Sequence, residues 1–112
     1  MDNKLSCKTR VTLRAAGSHE GHGFGRGIEM LLVGVDRHGS LNRAAKELGM
    51  AYSKAWNILR LAEQEFDLQL IHREGAHGSR LTDEGRIFLE QYQEMVNAAA
   101  QAAEQVFRKY FI

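Results

Sequence analysis

The sequence predicts a mainly helical fold that carries one small β-hairpin and ends in a long helix. Three observations predict it. Apolar residues recur every three or four positions in successive stretches between residues 28 and 110. Residues that stop or start helices stand between those stretches: Gly39, Ser40, Gly49 and Thr82. Two short apolar runs flank a glycine-containing turn at residues 74–79, as in a hairpin. At 112 residues with 44% hydrophobic side chains, the chain is sized for one domain, 1–112, with a modest core. Its single cysteine, Cys7, forms no internal disulfide, which fits a reducing cytoplasm. No stretch approaches the ~20 apolar residues of a membrane helix. A cytoplasmic protein that makes no use of a membrane is therefore expected.

Residues 1–27 are expected to form a strand and a loop. Leu5, Cys7, Val11 and Leu13 are set apart by polar or basic residues, so residues 4–14 predict the strand. Residues 15–27 hold five glycines without periodicity and predict the loop. Ile28, Leu31, Leu32 and Val35 form the stripe of a first helix over residues 28–38, stopped by Gly39. Ser40 is placed to cap a second helix whose inner face is Leu41, Ala44, Ala45 and Leu48. The two alanines are small enough for a close helix crossing. Gly49 suits the left-handed turn that follows.

A third helix is predicted from Tyr52 to Glu65, with Ala55, Ile58, Leu59, Ala62 and Phe66 turned inward. Residues 68–73 and 80–82 then predict two strands around the turn, with Arg73, His77 and Arg80 near its tip. Thr82 can cap a last helix over residues 83–110, with Asp83 and Glu84 favoured by its dipole. Phe88, Tyr92, Met95, Ala99, Ala102 and Val106 follow the alternating four-and-three spacing of a coiled-coil seam. A helix about 40 Å long exceeds what so small a core can cover. Its far half is expected to pack on a second copy of the chain, making a homodimer.

Two short helices meeting at Gly49, the second opening with polar side chains, have the layout of a helix-turn-helix. With the hairpin as a wing, residues 28–82 predict a winged helix-turn-helix and residues 83–112 a dimerisation helix. Charge is divided accordingly. Residues 1–82 hold 12 lysines and arginines against 9 acidic residues, and residues 83–112 hold 3 against 5, within a net charge of +1. The basic excess lies with the part that holds the predicted helix-turn-helix.

Three motifs resemble the LysR-type winged helix-turn-helix. Gly39-Ser40-Leu41 through Ala44-Ala45 and Leu48 resembles G-S-x-x-x-A-A-x-x-L. Leu59 with Glu63 is similar to the I-x-x-L-E ending of the third helix, with Ala62 in place of leucine. Leu70-Ile71-His72-Arg73 followed by Leu81-Thr82-Asp83-Glu84-Gly85 resembles L-F-x-R…L-T-x-x-G. Met50-Ala51-Tyr52-Ser53-Lys54-Ala55-Trp56 further resembles the I-S-Y-K-S-A-W of the molybdate-responsive ModE type. Ala51 replaces a serine cap, a loss of about 1 kcal/mol. The wing is shorter than the ModE one. With the sequence ending at Ile112, neither molybdate binding nor the family's small-molecule domain is carried over from the resemblance, no effector ligand is evident, and no cofactor is expected.

The resemblance implies a sequence-specific, double-stranded-DNA-binding transcriptional regulator of prokaryotic type, acting at the nucleoid. The third helix would enter the major groove. There Lys54 can donate to guanine or phosphate, Asn57 can bond an adenine edge twice, Ser53 can donate or accept, and Tyr52 can stack on sugar or touch a thymine methyl. Arg60, one turn on, is placed for phosphate. Asn42 and Arg43, with the amides opening the second helix, would hold the DNA backbone. Arg73, Ser79 and Arg80 on the wing would meet phosphate or the minor groove. Trp56 reads as a core or hinge residue. The alternative is a protein-interaction module that uses the same scaffold without reading DNA. His19, Glu20 and His22 match no familiar metal spacing, and Cys7 has no partner base. With no paired-carboxylate, P-loop or triad pattern, an enzyme is not expected.

Overall fold

The structure, a computed structural model, describes residues 4–17, 23–73 and 78–112. Helix α1 spans Arg26–His38 and stops at Gly39, whose left-handed backbone lets its N–H donate to Val35 O at 2.8 Å. Helix α2 spans Leu41–Glu47, and Ser40 Oγ caps it by accepting the Arg43 N–H at 3.1 Å. Helix α3 spans Tyr52–Phe66, and its first turn receives no side-chain cap from Ala51. Strands β1 (Ile71–Arg73) and β2 (Ser79–Leu81) pair antiparallel, with Ile71 opposite Leu81, His72 opposite Arg80 and Arg73 opposite Ser79. Helix α4 spans Asp83–Phe111, and Thr82 Oγ1 caps it by accepting the Gly85 N–H at 2.8 Å. Among the described residues no helix is long and apolar enough to cross a membrane.

The core is built from the inward stripes of the four helices and the base of the hairpin: Leu31, Leu32, Val35, Leu41, Leu59, Leu70, Ile71, Leu89 and Tyr92 are all buried. The crossing of α1 over α2 is as close as the small residues foretell. A Cβ added at Gly34 would lie 2.6 Å from Ala44 Cβ, so only a hydrogen fits there. This contact sets the angle at which α2 delivers the turn to α3.

Several expectations are corrected. The predicted strand over residues 4–14 is not a strand. Among the described residues it forms only an isolated antiparallel bridge, Leu13 to Phe24, because neither edge of the two-stranded wing pairs with it. The expected loop over 15–27 already contains the start of α1 and one of the most buried side chains, Phe24. Its ring centroid lies 4.8 Å from Phe88, 4.9 Å from Tyr92 and, edge-on, 6.5 Å from Phe66. Leu48, expected inside, is exposed, and Met50 packs on the core instead. The strand predicted from residue 68 begins only at Ile71, because a carboxylate intercepts the preceding backbone. Glu63 Oε2 accepts the Leu70 N–H at 2.8 Å and the Ile71 N–H at 3.4 Å.

The carbonyl of Leu70 is also taken. It accepts the Thr82 N–H at 3.0 Å and the Thr82 hydroxyl at 3.3 Å, and that hydroxyl also donates to Gln69 O. Glu65 does for the N-terminal segment what Glu63 does for the wing. Its two carboxylate oxygens accept the Ala15 and Gly23 N–H groups, each at 3.1 Å. Tyr92 completes that attachment by donating its hydroxyl to Val11 O at 2.8 Å. On the surface, Arg86 makes two hydrogen bonds to Asp36, 2.7 and 3.3 Å long, which tie α4 to α1 and hold the Asp36 carboxyl below its usual pKa.

Gly34→Val is expected to cost about 2 kcal/mol in denaturant unfolding, because overpacked crossings must separate. Gly27→Ala, on the same helix with open space around it, is expected to be neutral or to stabilise by up to ~1 kcal/mol. Tyr92→Phe is expected to cost about 1 kcal/mol at neutral pH by losing the bond to Val11. Burial raises the Tyr92 phenol above its ordinary pKa of 10.0. The folded state thus favours the protonated phenol, and this contribution holds below pH 10 and is lost as pH rises through the raised value. Wild-type stability should therefore fall more steeply above pH 10 than that of Tyr92→Phe.

Candidate nucleic-acid interface

The start of α2, the start of α3 and the outer end of the wing converge on one open groove of about 530 Å³. It is lined by Ser40, Leu41, Asn42, Tyr52, Arg73, Gly78 and Ser79. Two backbone contacts place the wing there. The Ser79 N–H donates to Gly39 O at 2.9 Å, docking β2 on the turn between α1 and α2. Gly78, with a left-handed φ of 91°, lies so close to that carbonyl that an added Cβ would fall 2.2 Å from it. A side chain at 78 would push the wing off the turn.

Of the ten residues singled out from sequence, the structure brings Asn42, Tyr52, Arg73 and Ser79 together in this groove. Ser53, Lys54 and Asn57 continue from it as the exposed side of α3, opposite the buried Ala55, Leu59 and Ala62. Arg43 is exposed on α2, but its amide is already bonded to Ser40, so α2 offers its side chain and not that N–H. Arg60 is half-buried and donates to Asn57 Oδ1 at 3.3 Å. Arg80 pairs across from His72, which puts it on the other face of the hairpin from Arg73 and Ser79. His19, Glu20, His22 and His77 lie outside the described residues.

Sequence reasoning missed what Trp56 does. The half-buried indole packs against the core while two guanidinium groups lie over it, Arg73 at 4.4 Å and Arg60 at 5.4 Å from the ring centroid. The Trp-to-Arg spacing of four on one helix carried the signal for Arg60, but nothing local announces Arg73. Lys54, Arg60 and Arg73 supply positive charge beside the groove, and Tyr52 is an exposed aromatic at the start of α3.

Residues 30–86, from α1 to the first turn of α4, match the model of the bacterial regulatory helix-turn-helix proteins of the LysR family. The chain belongs to the LysR family. Membership makes it a DNA-binding transcriptional regulator by class. Among solved structures, the CbnR DNA-binding domain in its complex with DNA is similar over 74% of this chain and 94% of that one, at 20% identity and a TM-score of 0.62. CbnR itself, a LysR family transcriptional regulator, matches over 71% of this chain and 27% of its own, at 21% identity and a TM-score of 0.58. CrgA, a LysR-type transcriptional regulator from Neisseria meningitidis, matches over 75% and 29%, at 27% identity and a TM-score of 0.51. This chain therefore spans under a third of the length of those two regulators. No curated protein matches it by sequence.

Proposed function

We propose that this LysR-family chain regulates transcription as a homodimer that reads duplex DNA in sequence. In this reading the start of α3 lies in the major groove, and the wing lies on the backbone or in the minor groove. The observation that carries it is the convergence of Asn42, Tyr52, Arg73 and Ser79 in one groove continuous with exposed Ser53, Lys54 and Asn57. Lys54, Arg60 and Arg73 around this groove suit the phosphates of a duplex, which favours DNA over a protein partner on the same face. The similar CbnR domain has been solved bound to DNA. Asn57 and Lys54 are the base readers. Arg43, Arg60 and Arg73 hold phosphate, with Arg80 approaching from the wing's other face. The likeness of residues 50–56 to the ModE type narrows the family of the recognition helix, and molybdate sensing forms no part of the reading.

Dimerisation rests on α4. At 29 residues it is about 43 Å long. Beyond Tyr92 the predicted seam leaves the core. Met95 is 44% and Val106 56% exposed, and Tyr110 and Phe111 follow on the same uncovered end. Two such helices laid together would cover these side chains and present two reading heads to a pseudo-palindromic site. A cytoplasmic location at the nucleoid goes with this role.

The test starts by selecting bound sequences from random duplexes. Affinity for the selected site should fall steeply with salt, and Arg60→Ala should reduce the log–log salt slope by about 0.9. Lys54→Ala should cost about 1–3 kcal/mol against the selected site and relax base preference under α3. Sedimentation should give a dimer, shifted toward monomer by Val106→Glu with a parallel loss of DNA affinity. Salt-independent binding, or full affinity in both α3 variants, would overturn DNA reading. A monomer that binds at full strength would overturn the dimer alone.

A further inference from the structure

We propose that Trp56 is a positioning residue that locks the wing to the recognition helix, holding Arg60 and Arg73 on one indole so that both charges meet the duplex at a preset spacing. The inference rests on the DNA reading above and adds to it a device for pre-organisation.

The two arginines come from different elements. Arg60 is one turn beyond Trp56 on α3, and Arg73 is the last residue of β1. Both guanidiniums nonetheless lie within 5.4 Å of the same ring centroid. The indole is half-buried and packs against the core, so the platform is itself fixed. The wing needs such a fixture. Its strands are three residues long, and a two-stranded ribbon is marginal by itself. The Leu70 and Ser79 backbone bonds hold β1 at its base and β2 at its docking point on Gly39. The stack on Trp56 holds Arg73 directly to α3.

The chemistry suits arginine in particular. Stacking uses the flat face of a guanidinium and leaves the N–H donors around its edge available for phosphate oxygens. One side chain can thus be held by the indole and bind DNA simultaneously. A lysine ammonium has no separate face and edge. Arg60 extends the array by donating to Asn57 Oδ1, so the residue placed to read a base is linked through Arg60 and Trp56 to the wing. Ordering two long side chains before the encounter removes part of the entropy cost that binding otherwise carries.

The experiment measures affinity and salt slope for the selected duplex with wild type, Trp56→Leu, Trp56→Phe, Arg73→Ala, Arg73→Lys and the Trp56→Leu/Arg73→Ala double variant, alongside thermal melts. Trp56→Leu should weaken binding roughly five- to twentyfold with little change in salt slope, since no charge is removed. Arg73→Ala should weaken binding comparably and lower the slope by about 0.9. The double variant should be much weaker than wild type yet well short of the product of the single effects. Trp56→Phe should recover most of the loss, and Arg73→Lys should not. Because Trp56 is the only tryptophan, its emission should shift in the DNA-free protein on Arg73→Ala. Multiplicative effects in the double variant, or a Trp56→Phe no better than Trp56→Leu, with wild-type binding intact, would overturn the positioning role and leave the DNA reading standing. Loss of duplex binding by wild type itself would overturn both. Should Trp56→Leu not fold, the Arg73→Lys affinity and the emission shift decide: near wild-type affinity with unchanged emission would overturn the role.

Discussion

The backbone of Leu70 is where the end of α3, the wing and the last helix meet. Its N–H is held by the Glu63 carboxylate of α3, and its carbonyl by the backbone and hydroxyl of Thr82, the cap of α4. A strand starting there under ordinary pairing would take its register from a neighbouring strand. Here β1 keeps its register with β2, and a helix side chain fixes where that pairing begins. The wing is therefore tied to α3 at its base by one glutamate, while β2 is docked separately on Gly39. A charged acceptor makes these stronger bonds than a neutral one would.

Charge has a local role in this molecule. A net charge of +1 provides little long-range field to steer an anionic duplex toward the chain. Affinity must then come from a few cations held in the right places, which makes their fixation matter more than their number. Arg60 and Arg73 are fixed on Trp56, while Arg43 and Lys54 stand exposed on their helices. The acidic bias of the last 30 residues sits on α4, away from the groove, where it costs DNA binding little.

What the sequence disclosed and what it hid divide along a physical line. Helices announce themselves by repetition, and caps by short spacing, so the run Gly39-Ser40, the inner alanines, Thr82 and both wing strands were legible from nearby residues. Gly34 is the counterpart of Ala44 across the crossing, and no periodicity marks it. Phe24 was hidden because a lone aromatic among glycines has no period. The roles of Glu63 and Glu65 were hidden because their partners, Leu70, Ala15 and Gly23, are backbone groups 7 to 50 residues away. Alternation at 4–14 mimicked a strand, yet a strand exists only where another edge pairs with it. Of the proposed site, the side chains of α3 were legible from helix phase, whereas the separation of Arg73 from Arg80 depends on hairpin register, which sequence spacing alone leaves open.

These constraints bear on how a dimer would work. On the proposed reading, one chain already holds the whole DNA-facing set: groove, start of α3, wing and indole platform. What it lacks is a ruler for the distance to a second head. Successive major-groove faces of a duplex recur about every 34 Å. On the proposed dimer that spacing falls to α4, a single uninterrupted helix about 43 Å long. Its base is anchored at Thr82 and by Arg86 on Asp36, so any angle taken by α4 against its partner is transmitted to the heads through rigid joints. Loosening the Thr82 joint would blur the spacing between half-sites while leaving each head able to read its own.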